Sequence, residues 1–227
     1  ATVVATDGAG ANKISLDTDY TVTLTGAAAA SDIISIDANT SGHITGTGIT
    51  TFTGTAANIA IVAALEADSG NNKINLDTDF TATVDAGSVA AADLNTISGR
   101  TAGTVTATAA TAITGTSTAV AAVVADGQIS VDGDYNVTLT GSAAASDVIA
   151  IDADTSGHIT ASGVTALTGT AANVATVVAT DGDSGSNKIN LDGDYTVTLT
   201  GAAAASDIIA IDANTSGHIT ASGVTAL

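Results

Sequence analysis

Carboxylates recur in this chain at fixed places beside Ser, Asn and Gly, and any chemistry would have to reside there. The stretch Asp152-x-Asp154-x-Ser156-Gly157-x-Ile159 has the opening of a calcium loop, with Asp at positions 1 and 3, an oxygen donor at 5, Gly at 6 and Ile at 8. Equivalent turns carry Asp37 and Asn39, Asp181 and Asp183, and Asp212 and Asn214. Asp37, Asn39, Asp152, Asp154, Ser156, Asp181, Asp183, Asp212 and Asn214 are therefore the candidate Ca2+ ligands. Against this, the closing Glu is absent, because the twelfth position is Gly163. Asp, Asn, Ser and Gly also form turns without a metal, so cation loop and plain turn both stay open.

A second acidic element, Asp17-Thr18-Asp19, returns as Asp77/Asp79, Asp132/Asp134 and Asp192/Asp194; it reads as a turn in preference to a shared cation site. Every Lys and His falls in one aligned column: Lys13, His43, Lys73, Thr104, Gln128, His158, Lys188, His218. Positive groups beside a carboxylate column read as charge compensation. A Ser-His-Asp triad needs one fixed constellation, whereas here each His recurs in an equivalent turn and is Thr in one copy. Phosphate loops and His-x-His spacings are missing, so the chain is not expected to be an enzyme. Residues 93–105 align without gaps on residues 32–44, with Ser98, Arg100, Ala102 and Thr104 replacing Asp37, Asn39, Ser41 and His43. Gly103 keeps the place of Gly42. The unit thus tolerates loss of the metal-like ligands but keeps its turn Gly.

The elements behind these turns repeat. Leu139 to Asp147 returns as Leu199 to Asp207, and Ile151 to Ile159 as Ile211 to Ile219, each after 60 residues. The equivalent steps at Thr25, Thr53, Asp85, Thr114, Thr140, Thr168 and Thr200 divide this period into coils of 26 to 32 residues. Residues 1–227 read as one continuous array of about eight coils, in four paired units of about 60 residues. Ala1 to Gly8 matches Ala175 to Gly182, and Leu227 matches Leu167. The array therefore begins and ends in mid-coil, and either continues or joins head to tail. Alternating Ile-x-Leu and Val-x-Leu runs give the period of half-buried strands. The fold expected is mainly β, a parallel β-solenoid with some helical turns in the Ala-rich segments. One such segment, Ala56 to Glu66, reads as a short helix capped by Thr55.

Composition narrows the classes. Apolar residues make up 45% and aromatics 2%, which suits a thin interior of Ile, Val, Leu and Ala better than an aromatic-rich globule. Tyr20, Phe80, Tyr135 and Tyr195 share one position after the acidic turn and read as a structural column. With no Cys, disulfides and thiol chemistry are excluded. No apolar run approaches the ~20 residues of a membrane span, so no membrane insertion is expected. A net charge of −19 argues against nucleic acid, whose phosphates need basic contacts.

Val164 to Val174 (Val-Thr-Ala-Leu-Thr-Gly-Thr-Ala-Ala-Asn-Val), Asp93 to Ile97 and Thr101 to Ala107 resemble tandem repeats of very large cell-surface proteins of cyanobacteria and other bacteria. Those proteins are often associated with calcium-binding repeat-in-toxin segments, and the resemblance covers nearly the whole chain. It implies secretion to the cell surface and a part in surface layers, fibres or adhesion, without chemistry. The Gly-Gly-x-Gly-x-Asp nonapeptide of calcium rolls is absent, so no metal site is carried over. The expected function is that of a structural repeat protein of an extracellular filament, surface layer or adhesin stalk. Its expected partner is itself, head to tail or laterally, or another surface-layer component. A calcium-dependent adhesion module is the alternative. Ice binding is a remote one: Thr-x-Thr pairs occur at Thr23/Thr25, Thr138/Thr140 and Thr198/Thr200, but Ala166 and Ala226 interrupt them in alternate coils.

Overall fold

The alternating apolar runs do form strands, but the Ala-rich segments between them form full helices. A computed structural model describes residues 16–65, 74–182 and 189–226. In chain order the described elements open with β1 (Val22–Ala29), α1 (Ala30–Asp37), β2 (Ile44–Gly54), α2 (Ala56–Leu65), β3 (Ile74–Leu76) and β4 (Thr81–Val84). Next come β5 (Gly87–Ala90), α3 (Ala91–Ser98), β6 (Val105–Thr106), β7 (Ala110–Gly115), α4 (Ser117–Ala125) and β8 (Ile129–Ser130). The remainder are β9 (Asn136–Ala144), α5 (Ala145–Asp154), β10 (Ile159–Thr170), α6 (Ala171–Ala179), β11 (Ile189–Leu191), β12 (Thr196–Ala202), α7 (Ala205–Asn214) and β13 (Ile219–Ala226).

The mainly-β solenoid is therefore corrected to an α/β fold of two parallel sheets with interleaved helices, built from β-α-β units. The reason lies in a three-residue spacing hidden inside runs that look like strands. Ile-Ile-Ser-Ile and Val-Ile-Ala-Ile are β-formers by type, yet Ala30, Ile33 and Ile36 line one buried stripe, as do Ala145, Val148 and Ile151. Ala91, Leu94 and Ile97 do the same in the unit that lacks the acidic ligands. Residues three apart share a helix face. Each helix starts at the end of its Ala run and continues through the acidic segment. Parallel neighbours require a crossover, and these helices provide it.

Two kinds of helix alternate. In α2, α4 and α6 a Thr hydroxyl caps the first turn: Thr55 accepts from the Asn58 amide at 3.2 Å, Thr116 from Ala119 at 3.2 Å and Thr170 from Asn173 at 3.3 Å. The helix expected from Ala56 with Thr55 as its cap is thus present. In α1, α5 and α7 no side chain caps the start, but Asp32, Asp147 and Asp207 lie in the first turn, where negative charge favours the helix dipole.

The chain divides into two compact units. The first takes Ala1–Val89, Asp93–Ala109 and Gln128–Ser130; the second takes Ala90–Ala92, Ala110–Gly127 and Val131–Leu227. In the first, the strand order is β1-β2-β4-β6-β8, with β3 against the start of β2. In the second it runs β7-β9-β10-β12-β13, with β11 against the start of β10. Thus β11 and β12 are two halves of one line facing β10: Ile159 pairs with Ile189, and Leu167 with Val197. The break between the halves is the recurrent acidic turn. No helix of the described residues is long and apolar enough to cross a membrane.

Burial grades the second unit. Val148, Ile159, Ala161 and Val164 are buried, whereas Ile208, Ile219 and Val224, which stand 60 residues later, are partly exposed and Ala221 is exposed; Ile151 and its counterpart Ile211 are both buried. Ile151→Ala should therefore cost about 2–4 kcal/mol in chemical denaturation, and Ile208→Ala under about 1 kcal/mol.

Candidate functional site

The polar residues that recur most faithfully meet at the acidic turns. Each turn begins with an Asp whose carboxylate accepts the next amide: Asp17 from Thr18, Asp77 from Thr78, Asp132 from Gly133 and Asp192 from Gly193, at 2.8–2.9 Å. A loop about 20 residues downstream then closes on the turn. The hydroxyls of Thr40, Thr101, Thr155 and Thr215 donate to the carbonyls of Tyr20, Phe80, Tyr135 and Tyr195 at 2.5–2.6 Å. The same hydroxyl oxygens accept from the amides of Gly42, Gly103, Gly157 and Gly217 at 2.9–3.0 Å. The amides between them, of Ser41, Ala102, Ser156 and Ser216, reach the carbonyls of Thr18, Thr78, Gly133 and Gly193 at 2.7–2.8 Å.

All four threonines are buried, so each hydroxyl must be satisfied inside the protein. The glycine is a matter of space. A Cβ on Gly42, Gly103, Gly157 or Gly217 would lie 2.0–2.2 Å from the carbonyl oxygen of the aromatic residue. That explains why Gly103 survives where the acidic residues are lost.

The candidate calcium ligands occupy two settings. Asp37 ends α1 and Asn39 follows it, both lining an open groove of about 460 Å³ with Thr18, Ala38, Thr40 and Ser41. Asp152 and Asp154 lie in the last turn of α5 instead of a loop; two residues apart on a helix, they point to different sides. Asp154 Oδ2 accepts the Tyr135 hydroxyl at 2.7 Å, and the Ser156 hydroxyl donates to the Gly133 carbonyl at 3.1 Å. Asp152 Oδ1 is buried without a hydrogen-bond partner among the described residues, and burial raises its carboxyl above the ordinary range.

Asp181 and Asn214 do come together. Asp181 accepts the Leu191 amide at 2.8 Å and the Asn214 side-chain amide at 3.1 Å, while Asn214 Oδ1 accepts the Tyr195 hydroxyl at 2.5 Å. Asp212 is exposed on α7, and Asp183 lies outside the described residues. Among the described residues no group of three or more His, Asp or Glu side chains is placed to hold a metal ion. The carboxylate and amide oxygens that converge are taken up by phenol, amide and backbone donors.

No family model, curated protein or solved structure matches the chain.

The basic column has a backbone explanation. The carbonyls of His43, Thr104, Gln128, His158 and His218 accept the amides of Val22, Ala82, Val105, Val137 and Val197 at 2.8–3.0 Å. The main chain at this position carries the sheet, which frees the side chain to vary; Lys13, Lys73 and Lys188 lie outside the described residues. The Asp17 family acts as a turn. Missed in the sequence were the four threonines, although their signal was present: Thr101 stays while Ser98, Arg100, Ala102 and Thr104 replace its neighbours.

The phenols sit in this framework as neutral donors. Burial first, then the hydrogen bond to Asp154 and its charge, pushes Tyr135 well above the usual tyrosine range. Burial and then the charge of Asp181 do the same for Tyr195. Above the ordinary phenol pKa of about 10, the unfolded chain loses these protons while the folded chain keeps them. Stability therefore falls as pH rises from about 10 until the folded phenols ionise. The double variant Tyr135→Phe/Tyr195→Phe should flatten that alkaline loss in melts followed between pH 8 and 12. At neutral pH, Thr155→Ala should cost about 1–3 kcal/mol by stranding buried groups. Gly157→Ala should cost more than about 4 kcal/mol, because its clash is with backbone.

Proposed function

We propose that this chain is a structural repeat protein of an extracellular assembly, a filament, surface layer or adhesin stalk, and that it works by self-association and not by chemistry. The observation that carries this reading is the use of its polar groups. The hydroxyls, amides and carboxylates that recur are spent on closing the turns within each unit. A chain whose repeated chemistry is internal offers its partners shape and strand edges. The resemblance to tandem repeats of giant bacterial surface proteins supports the same reading and the extracellular setting.

A net charge of −19 opposes association at low ionic strength, and screening removes that opposition over a Debye length of about 8 Å at physiological salt. The purified chain should form regular assemblies, seen by negative-stain electron microscopy and light scattering, more readily at about 0.5 M than at about 0.05 M NaCl. Parallel samples with calcium and with chelator separate salt screening from a cation requirement. Particles that stay monomeric at every salt and protein concentration contradict the reading.

A further inference from the structure

None of the thirteen described strands contains an Asp, Glu, Lys, Arg or His, although the chain carries a net charge of −19. Charged residues make up 12% of the chain, so their absence from every strand is a segregation and not a shortage. In the first unit the charges stand in turns and on helices: Asp77 and Asp79 in a turn, Asp32 on α1 and Asp93 on α3.

The sheet of that unit shows what takes their place. Thr53, Thr83, Thr106 and Ser130 pair in one row across β2, β4, β6 and β8, and Thr51 pairs with Thr81 in a second. Phe52, Ala82 and Val105 alternate with them and are buried on the other side. Thr53, Thr81, Thr83 and Ser130 are exposed, and Thr51 and Thr106 partly so. The Thr51 and Thr81 hydroxyls lie 2.9 Å apart, and Thr81 donates to the Thr50 carbonyl at 3.2 Å. These two hydroxyls already have partners within the face, so covering them strands no polar group. Thr is also stiff at χ1, which limits the entropy lost on contact. Further units of an array add at the edges of the sheet, where β2, β4 and β6 already have neighbours on both sides, and leave this face open.

Resting on the reading of the chain as a self-associating structural protein, we propose that this Thr-Ser face packs against the same face of a second copy, side by side and not end to end. The charge distribution selects the occupant. A basic partner is drawn to the acidic turns, and an apolar partner needs exposed apolar side chains to cover. Two copies at −19 each repel wherever turns or helices face each other; the strand face is where they approach without opposed charges. Sheets pack face to face about 10 Å apart, with small side chains interdigitating. Asp79 and Asp85 lie beyond the two ends of β4 and stay at the rim of the contact. The patch is smaller than a standard interface, so one chain associates weakly and with concentration.

The test uses the whole chain at the higher of the two salt concentrations. Thr83→Lys places a charge in the middle of the face. Ser35→Lys, at an exposed position of α1, makes the same change of charge on a helix. Circular dichroism and melting confirm that each variant is folded. Both lower the net negative charge equally, so general repulsion between copies changes alike in the two. In sedimentation equilibrium the concentration for half-association should rise at least about tenfold for Thr83→Lys and not for Ser35→Lys. Thr83→Ser, which keeps a small hydroxyl, should associate as the parent does. If the parent associates and Thr83→Lys does so as readily, or Ser35→Lys weakens association as much, the contact lies elsewhere. This proposal then falls while the structural reading stands. A parent that never associates overturns both. Should Thr83→Lys fail to fold, Thr53→Lys, exposed in the same row, decides by the same criterion.

Discussion

Each long unit of this chain is closed by one threonine hydroxyl. It donates to the carbonyl of an aromatic residue about 20 positions upstream and accepts the amide of a glycine two positions downstream. Because the hydroxyl is buried, the geometry is over-determined: the donor, the acceptor and the space left by the missing Cβ must agree. This clasp fixes where the loop after the helix meets the turn between the two half-strands. With that point set, the strand that follows has only one register against its neighbour. A slip by one residue would send every Ile, Val and Leu of the strand to the wrong face.

The clasp also explains how the acidic residues are used. Asp17, Asp77, Asp132 and Asp192 shape the turn that is clasped. Asp154 and Asn214 hold the phenols of Tyr135 and Tyr195 from the end of the helix that follows each in the chain. Where the chain carries Phe80 in place of Tyr, its ring stands edge-on to Phe52 with centroids 4.8 Å apart, and no polar partner is needed at that helix end. In the same copy Arg100 stands in the place of Asp154 and Asn214, and Ser98, in the place of Asp152, has its hydroxyl 3.4 Å from Gln128 Oε1. The chemistry of a unit can therefore be exchanged for packing, so long as the threonine and glycine stay.

The repeat, the strand period and the Thr55-capped helix were legible because each is written in local spacing. The helices α1, α3, α5 and α7 were not. Their stripe of Ala, Ile or Leu at every third position lies within residues that favour strands by type, and only burial against the sheet decides between them. The carboxylates of Asp152 and Asp154 looked like loop ligands for the same reason: with the helix overlooked, its last turn reads as a turn. The persistence of Gly103 was visible and its cause was not, since the carbonyl it makes room for lies more than 20 residues away in sequence.

Hydrogen exchange at single amides tests the clasp most directly. The amides of Ser41, Gly42, Ala102, Gly103, Ser156 and Gly157 should exchange only at the rate of global unfolding, as slowly as the interior strand amides of β10. Fast exchange at these loop amides, with β10 still protected, would contradict the claim that the clasp holds each unit in register.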